Sequence, residues 1–160
     1  MKGFSIKTEI EEYDTFEQFA KEAQLGEKDL VLCGEHTYKQ YVEPLSLGVQ
    51  TLFREKYGKG EPTDGAVDAI LDALRDKNFD RIVAIGGGTV AVAAPEDKVD
   101  DLYDHVSELE KRHPLIIVPT TCGTGSEVTN ISVMNRVSKG VKMGLASDAM
   151  LADKAVLITN

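Results

Sequence analysis

Two stretches of this chain end an apolar run in residues able to hold an anion. Leu115 to Glu127 reads LIIVPTTCGTGSE, four β-favouring residues that break at Pro119 into hydroxyls and glycines. Thr120, Thr121 and Thr124 place three hydroxyls within five residues, beside Gly123 and Gly125. Hydroxyls and free backbone N–H groups of this kind suit phosphate or ribose oxygens; the bland alternative is an ordinary Thr-rich turn. The earlier stretch, Arg81 to Thr89, reads RIVAIGGGT, and Gly86-Gly-Gly-Thr-Val-Ala91 matches the pattern G-x-G-x-x-G/A after a strand. Glycines there let a pyrophosphate approach the backbone at a helix N-terminus, although a tight strand-to-helix corner needs them equally. Two strand-then-glycine turns in one small α/β domain predict a single dinucleotide site at the carboxyl ends of the strands.

In the common dinucleotide fingerprint an acidic residue that binds the ribose follows the glycine loop by about 20 residues. Here the best acidic candidate, Glu35, ends a strand before that loop, so the topology differs from the common one. Glu35 could accept both hydroxyls of an adenosine ribose and repel a 2'-phosphate, or stand as a solvated loop carboxylate. His36, His105 and His113 lie in different elements without ligand spacing, and no His-x-x-x-His or Cys-x-x-Cys pair exists. His105 is expected to face solvent. Ser126 lacks the G-x-S-x-G elbow of a nucleophile and is expected to cap a helix, with Glu127 in its first turn.

The elements that must position these residues follow from periodicity. Phe4 to Ile10 alternates like an edge strand, and Thr15-Phe-Glu-Gln18 resembles a capping box opening a helix that Gly26 ends. Asp29 to Cys33 reads as a buried strand, and Val49 to Phe53 as another. Thr63 can cap a helix whose Val67, Ile70, Leu71 and Leu74 recur at i, i+3, i+4 and i+7. The strand Ile82 to Ile85 leads into the glycines. Val99, Leu102, Tyr103, Val106 and Leu109 mark a further amphipathic helix, with Asp97, Asp100 and Asp101 at its N-terminal end. Asn130 to Arg136 and Val141 to Ser147 look like a hairpin. This alternation predicts an α/β, Rossmann-like fold: a mostly parallel sheet with helices on both faces, plus a β-hairpin.

With 160 residues, 42% hydrophobic and 28% charged, the chain fits one globular domain with a core. A net charge of -9 argues against a nucleic-acid surface or an anionic membrane, so local donors must hold an anionic cofactor. Cys33 and Cys122 lack framework spacing and read as free thiols of a reducing compartment. The charged N-terminal stretch has no signal-peptide core, and no run approaches the roughly 18 apolar residues of a membrane helix. A cytoplasmic location is the expectation.

The order of strand with GGGT, helix, strand with PTTCGTGSEVT, and hairpin with KGVKMG resembles the iron-containing, or group III, alcohol dehydrogenase family. PTT-x-GTGSE is the most specific part of the match. DLVLCGE and EKYGKGEPT look most like the 4-hydroxybutyrate dehydrogenase branch. The resemblance implies that residues 1–160 form a dehydroquinate synthase-like N-terminal, NAD-binding domain. A larger helical C-terminal domain, absent from these residues, would carry the Asp and three His ligands of a divalent metal, usually iron or zinc. It places Gly87, Gly88 and Thr89 at the cofactor pyrophosphate, and Thr120, Thr121 and Thr124 near the phosphates and nicotinamide ribose. Glu35 falls where an acid favours NAD over NADP, Lys142 where a hairpin lysine reaches a cofactor ribose, and Val133 near the nicotinamide.

The implied chemistry is hydride transfer between a short ω-hydroxy acid, such as 4-hydroxybutyrate, and NAD. Another alcohol, as in butanol or propanediol dehydrogenases, or a nucleotide-binding module without catalysis, is the alternative. The fragment alone is expected to be inactive, with a small-molecule alcohol as substrate. An exposed edge strand near the N-terminus favours a homodimer. Where the family carries an Asp and, three residues on, a Lys after GGGT, this chain has Val92 and Pro95. The interval from Gly86 to Pro119 is also short, which points to a deletion, a junction or omitted residues between Thr89 and Ala94. The end at Ile158-Thr-Asn160 hints at the same.

Overall fold

A computed structural model describes residues 6–58, 60–86, 98–121 and 123–160. Its centre is a six-stranded, wholly parallel sheet of β1 (Glu9–Tyr13), β2 (Asp29–Cys33), β3 (Gln50–Phe53), β4 (Arg81–Ile85), β5 (Leu115–Val118) and β8 (Lys154–Ile158). Their order across the sheet is β1-β8-β5-β4-β2-β3. A separate antiparallel hairpin, β6 (Ile131–Arg136) and β7 (Val141–Ala146), turns through Gly140 at φ +67. Among the described residues four segments adopt α-helix: α1 (Phe16–Glu22), α2 (Glu35–Thr37), α3 (Asp64–Leu74) and α4 (Val99–Asp104).

The central strands β2, β4 and β5 are almost continuous apolar runs because both their faces are covered. On one face Val31, Val83, Ile116 and Val156 pack beneath Phe16, Phe19 and Ala20 of α1. On the other, Leu30, Leu32, Ile82, Ala84, Leu115 and Ile117 pack with Ile70 and Leu74 of α3. The two-faced α/β layering expected from the sequence is therefore present. At the amino ends of the strands the Arg81 guanidinium donates to both Asp29 carboxylate oxygens at 2.6 and 3.0 Å and to Ala23 O. The ion pair cross-links β2 and β4 at the end opposite the glycine turns.

The boundaries that differ have local causes. Among the described residues the first strand lies at Glu9–Tyr13, beginning later than the expected Phe4 to Ile10, whose first two residues lie outside them, and its one strand neighbour is Lys154–Ile158 of β8. Helix α1 stops at Glu22, before Gly26, in a left-handed turn at Gln24 (φ 51). Leu25 N–H closes that turn onto Ala20 O at 2.9 Å, and burial of the Leu25 side chain holds it. The amphipathic stretch from Val99 gives α4 only to Asp104, because His105 leaves the helical region (ψ 34); a 3-10 turn follows over Val106–Glu108. Ser126 opens a 3-10 turn instead of capping a helix, and its N–H and hydroxyl point to Thr124 Oγ1. The segment in which Val92, Pro95 and the suspected deletion fall lies outside the described residues.

Candidate functional site

The carboxyl ends of β2, β3, β4 and β5 come together around a cavity of about 220 Å³. Its floor is Leu32, Cys33, Ala84 and Ile85, and one wall is Ala66, Val67 and Ile70 of α3. The polar rim holds Arg54 and Glu55 beyond β3, Glu61 in the loop before α3, and Thr120 beyond β5. The sheet order explains the place: β2 leads on to β3 on one side while its neighbour β4 leads to β5 on the other, and such a reversal opens a crevice at the strands' carboxyl ends.

Two glycines shape the rim. Gly86 leaves β4 at φ +119, a conformation open to glycine, while its N–H stays bound to Val118 O at 2.9 Å. A Cβ built on Gly34 would stand 2.6 Å from Glu55 Oε1, so a side chain there would push the Glu55 carboxylate aside. Both Glu55 oxygens lie 3.3 Å from the Glu35 backbone N–H. Burial, and secondarily the Glu55 charge, pushes the Cys33 thiol up to about 12, so it stays protonated as part of the cavity floor.

Among the expected site residues, Thr120 lines this cavity, but Thr121 and Thr124 are exposed and stand outside it. Thr120 also borders a second, smaller cavity of about 140 Å³ on the opposite side, with Phe16, Tyr41 and Ile158. Glu35 begins α2 beyond β2, where its carboxylate is exposed and lies 3.7 Å from Lys39 Nζ, away from the cavity lining. Lys142 reaches the rim through a 2.6 Å ion pair with Glu61. Val133 is exposed on the outer face of the hairpin, opposite Gly144. Gly87, Gly88 and Thr89 lie outside the described residues.

Sequence reading missed Glu55 and the groups that seat the hairpin. The register carried a signal for Glu55: Cys33 pairs with Phe53 across β2 and β3, and Glu35 and Glu55 each follow their strand end by two residues. The hairpin is fixed by Asp64 at the start of α3, whose carboxylate accepts from Val137 N–H and Ser138 N–H, both at 3.1 Å, and from the Ser138 hydroxyl. Those bonds, the Ser138 hydroxyl first, hold the Asp64 carboxyl down at about 2. Arg136 ion-pairs with Asp100 and lies 4.3 Å over the Tyr103 ring, and the Tyr103 hydroxyl donates to Met143 O at 3.0 Å.

The cavity suits a nucleotide in chemistry: an apolar floor and wall for a base, a polar rim, and glycines where backbone must be approached closely. Glu127 Oε2 and Ser132 Oγ, next to the Thr-rich loop, are buried without a hydrogen-bond partner among the described residues and so retain polar capacity. A metal does not fit here. Among the described residues, no group of three or more His, Cys, Asp or Glu side chains could hold one. Nor, among those residues, is any helix long and apolar enough to cross a membrane.

The chain is similar to known proteins in both sequence and fold. The chain is 41% identical to the 4-hydroxybutyrate dehydrogenase of Clostridium kluyveri, over 99% of this chain and 44% of that protein. It superposes on an iron-containing alcohol dehydrogenase from Thermotoga maritima with a TM-score of 0.74 and 25% identity, covering 98% of this chain and 47% of the other. A sulfoacetaldehyde reductase from Bifidobacterium kashiwanohense, solved in complex with NAD+, gives a TM-score of 0.78 at 21% identity, a likeness of fold, over 99% of this chain and 46% of that one. The chain thus spans about half the length of these relatives. The family model for iron-containing alcohol dehydrogenases matches residues 9–159, and the chain belongs to that family.

Proposed function

We propose that this chain is the NAD-binding part of a metal-dependent alcohol dehydrogenase acting on a short ω-hydroxy acid, with 4-hydroxybutyrate and succinate semialdehyde as the favoured pair. The observation that carries this reading is the cavity at the carboxyl ends of β2 to β5, flanked by the Gly86 turn and by Thr120. Identity to the Clostridium 4-hydroxybutyrate dehydrogenase supports the choice of substrate. Bound NAD would supply the hydride acceptor, and this chain's residues would bind and orient it. Gly86, with Gly87, Gly88 and Thr89 after it, and Thr120, Thr121 and Thr124 would face the phosphates and nicotinamide ribose. Val133 would lie near the nicotinamide and Lys142 near a ribose, released from Glu61. Glu35 would favour a ribose with a free 2'-hydroxyl. The metal, iron or zinc, would be held by residues outside those described here. The free edge of β1, with Ile10 exposed, is the place where a second copy would pair.

Calorimetric titration with NAD and with ADP-ribose tests the reading. Saturable binding of both is expected, with affinity about fivefold lower in Lys142→Ala, the size of one exposed charge-assisted contact. No binding of either ligand would refute the cofactor role. NADH formation from 4-hydroxybutyrate, against butanol and propanediol, by the polypeptide that carries this chain tests the substrate separately.

A further inference from the structure

Of the acids near the end of β2, Glu55 is the one that faces the cavity. It follows β3 by the same offset at which Glu35 follows β2, and the two strand ends are paired in register. Glu35 turns outward toward Lys39, whereas the Glu55 carboxylate lies over Gly34 and against the Glu35 N–H. Nearby positive charge does not cancel it. No ion pair involving Glu55 occurs among the described residues, and the neighbouring Lys56 ammonium sits 5.4 Å from the Phe53 ring centroid. Arg54 also lines the cavity, so two opposite charges meet at this rim.

We propose that Glu55 is a specificity-determining residue that excludes a 2'-phosphorylated dinucleotide. This rests on the reading of the cavity as an NAD site. A carboxylate fixed at the rim accepts from a neutral ribose hydroxyl and repels a phosphate dianion in the same place. Its hold on the Glu35 N–H fixes its position, and Gly34 supplies the space. With its charge removed, Arg54 remains at the rim beside a Glu61 that pairs with Lys142, and a site that rejects the phosphate would become one that tolerates it. Glu35, whose carboxylate turns outward to Lys39, contributes the smaller part of the discrimination.

The test compares NAD and NADP affinities by calorimetry for the parent protein and for Glu55→Gln, Glu55→Asp and Glu35→Gln, with folding checked by circular dichroism. Glu55→Gln keeps an oxygen able to accept from the Glu35 N–H, so a purely structural Glu55 predicts an unchanged NADP-to-NAD ratio. The expected result is a shift toward NADP of about tenfold, the size of one like-charge interaction over several ångströms at a surface. Glu55→Asp keeps the charge and should hold the parental ratio within about twofold, and Glu35→Gln should shift it less than Glu55→Gln. An unshifted ratio in Glu55→Gln, with NAD affinity retained, overturns the role of Glu55 and leaves the NAD site standing. Failure of the parent protein to bind either dinucleotide refutes the site and this inference together.

Discussion

Met134→Ala should release the hairpin from the rest of the domain without unfolding the sheet. Met134 is 3% exposed and packs with Val67 and Leu71 of α3 and Val99 of α4, a small cluster separate from the two that line the sheet. Truncating a buried Met to Ala costs about 2 to 5 kcal/mol, depending on how far the site can collapse. Here the Tyr103 ring packs against the cluster and can settle inward, which places the loss in the lower half of that range, about 2.5 kcal/mol. Since about 1.4 kcal/mol is a factor of ten, amides of β6 and β7 should exchange with solvent some tenfold to a hundredfold faster. Amides of β4 and β5 should stay within about threefold of the parent, because their packing lies in other clusters. Hydrogen exchange read by mass spectrometry separates the two regions, and Met134→Leu, nearly equal in volume, should cost less than about 1.5 kcal/mol and accelerate exchange correspondingly less. Equal acceleration in hairpin and sheet would refute the reasoning, since it would mean the two open as one unit.

Acid should loosen the same hairpin through Asp64. Its carboxyl is held at about 2 in the folded chain against an ordinary 3.8. The stabilisation is therefore complete above pH 3.8 and is lost as pH falls toward about 2. Asp100, lowered first by Arg136 and then by Lys139, titrates in the same direction. Hairpin protection should fall across that window in the parent and change less in Asp64→Asn, which exchange at stepped pH would show; an unchanged slope would remove Asp64 from the account. Immediately before Asp64, Thr63 accepts from Ala66 N–H at 3.2 Å as the N-cap of α3. Thr63→Ala should cost about 1 kcal/mol in denaturant unfolding, whereas Thr63→Ser should be close to neutral.

The sheet was legible because its strands are short apolar runs ended by turn residues, and the helices because Thr15 and Thr63 cap amphipathic stretches. Ends set by tertiary contact were not. Gln24 takes a left-handed conformation that glycine would predict for Gly26, because Leu25 is drawn into the core. Strand β1 shifts toward Tyr13 because only pairing with β8 fixes its register. At the site, glycines and threonines announced the loops, yet the side chains that close the cavity came from elsewhere. Glu55 and Glu61 lie in EKYGKGEPT, a stretch that carried the resemblance but gave neither acid a role, and their place follows from the order of strands rather than from spacing.

The hairpin and the sheet are separately packed units that meet near the cavity, and this division bears on how the site would work. Lys142 stands at the rim because Asp64, Arg136 and Met134 hold the hairpin to α3 and α4. Among the described residues the hairpin shares no ladder with the six strands, so its position depends on these contacts and on the Asn135 N–H bond to Pro62 O at 2.9 Å. Substitutions at its base should therefore weaken cofactor affinity while the main unfolding transition stays near that of the parent. Substitutions beneath the cavity floor, at Val83 or Ile116, should lower stability first and carry affinity down with it. A chain whose affinity and stability fell in parallel at both places would have its hairpin and sheet fused into one cooperative unit, and the rim lysine would then be no more adjustable than the floor.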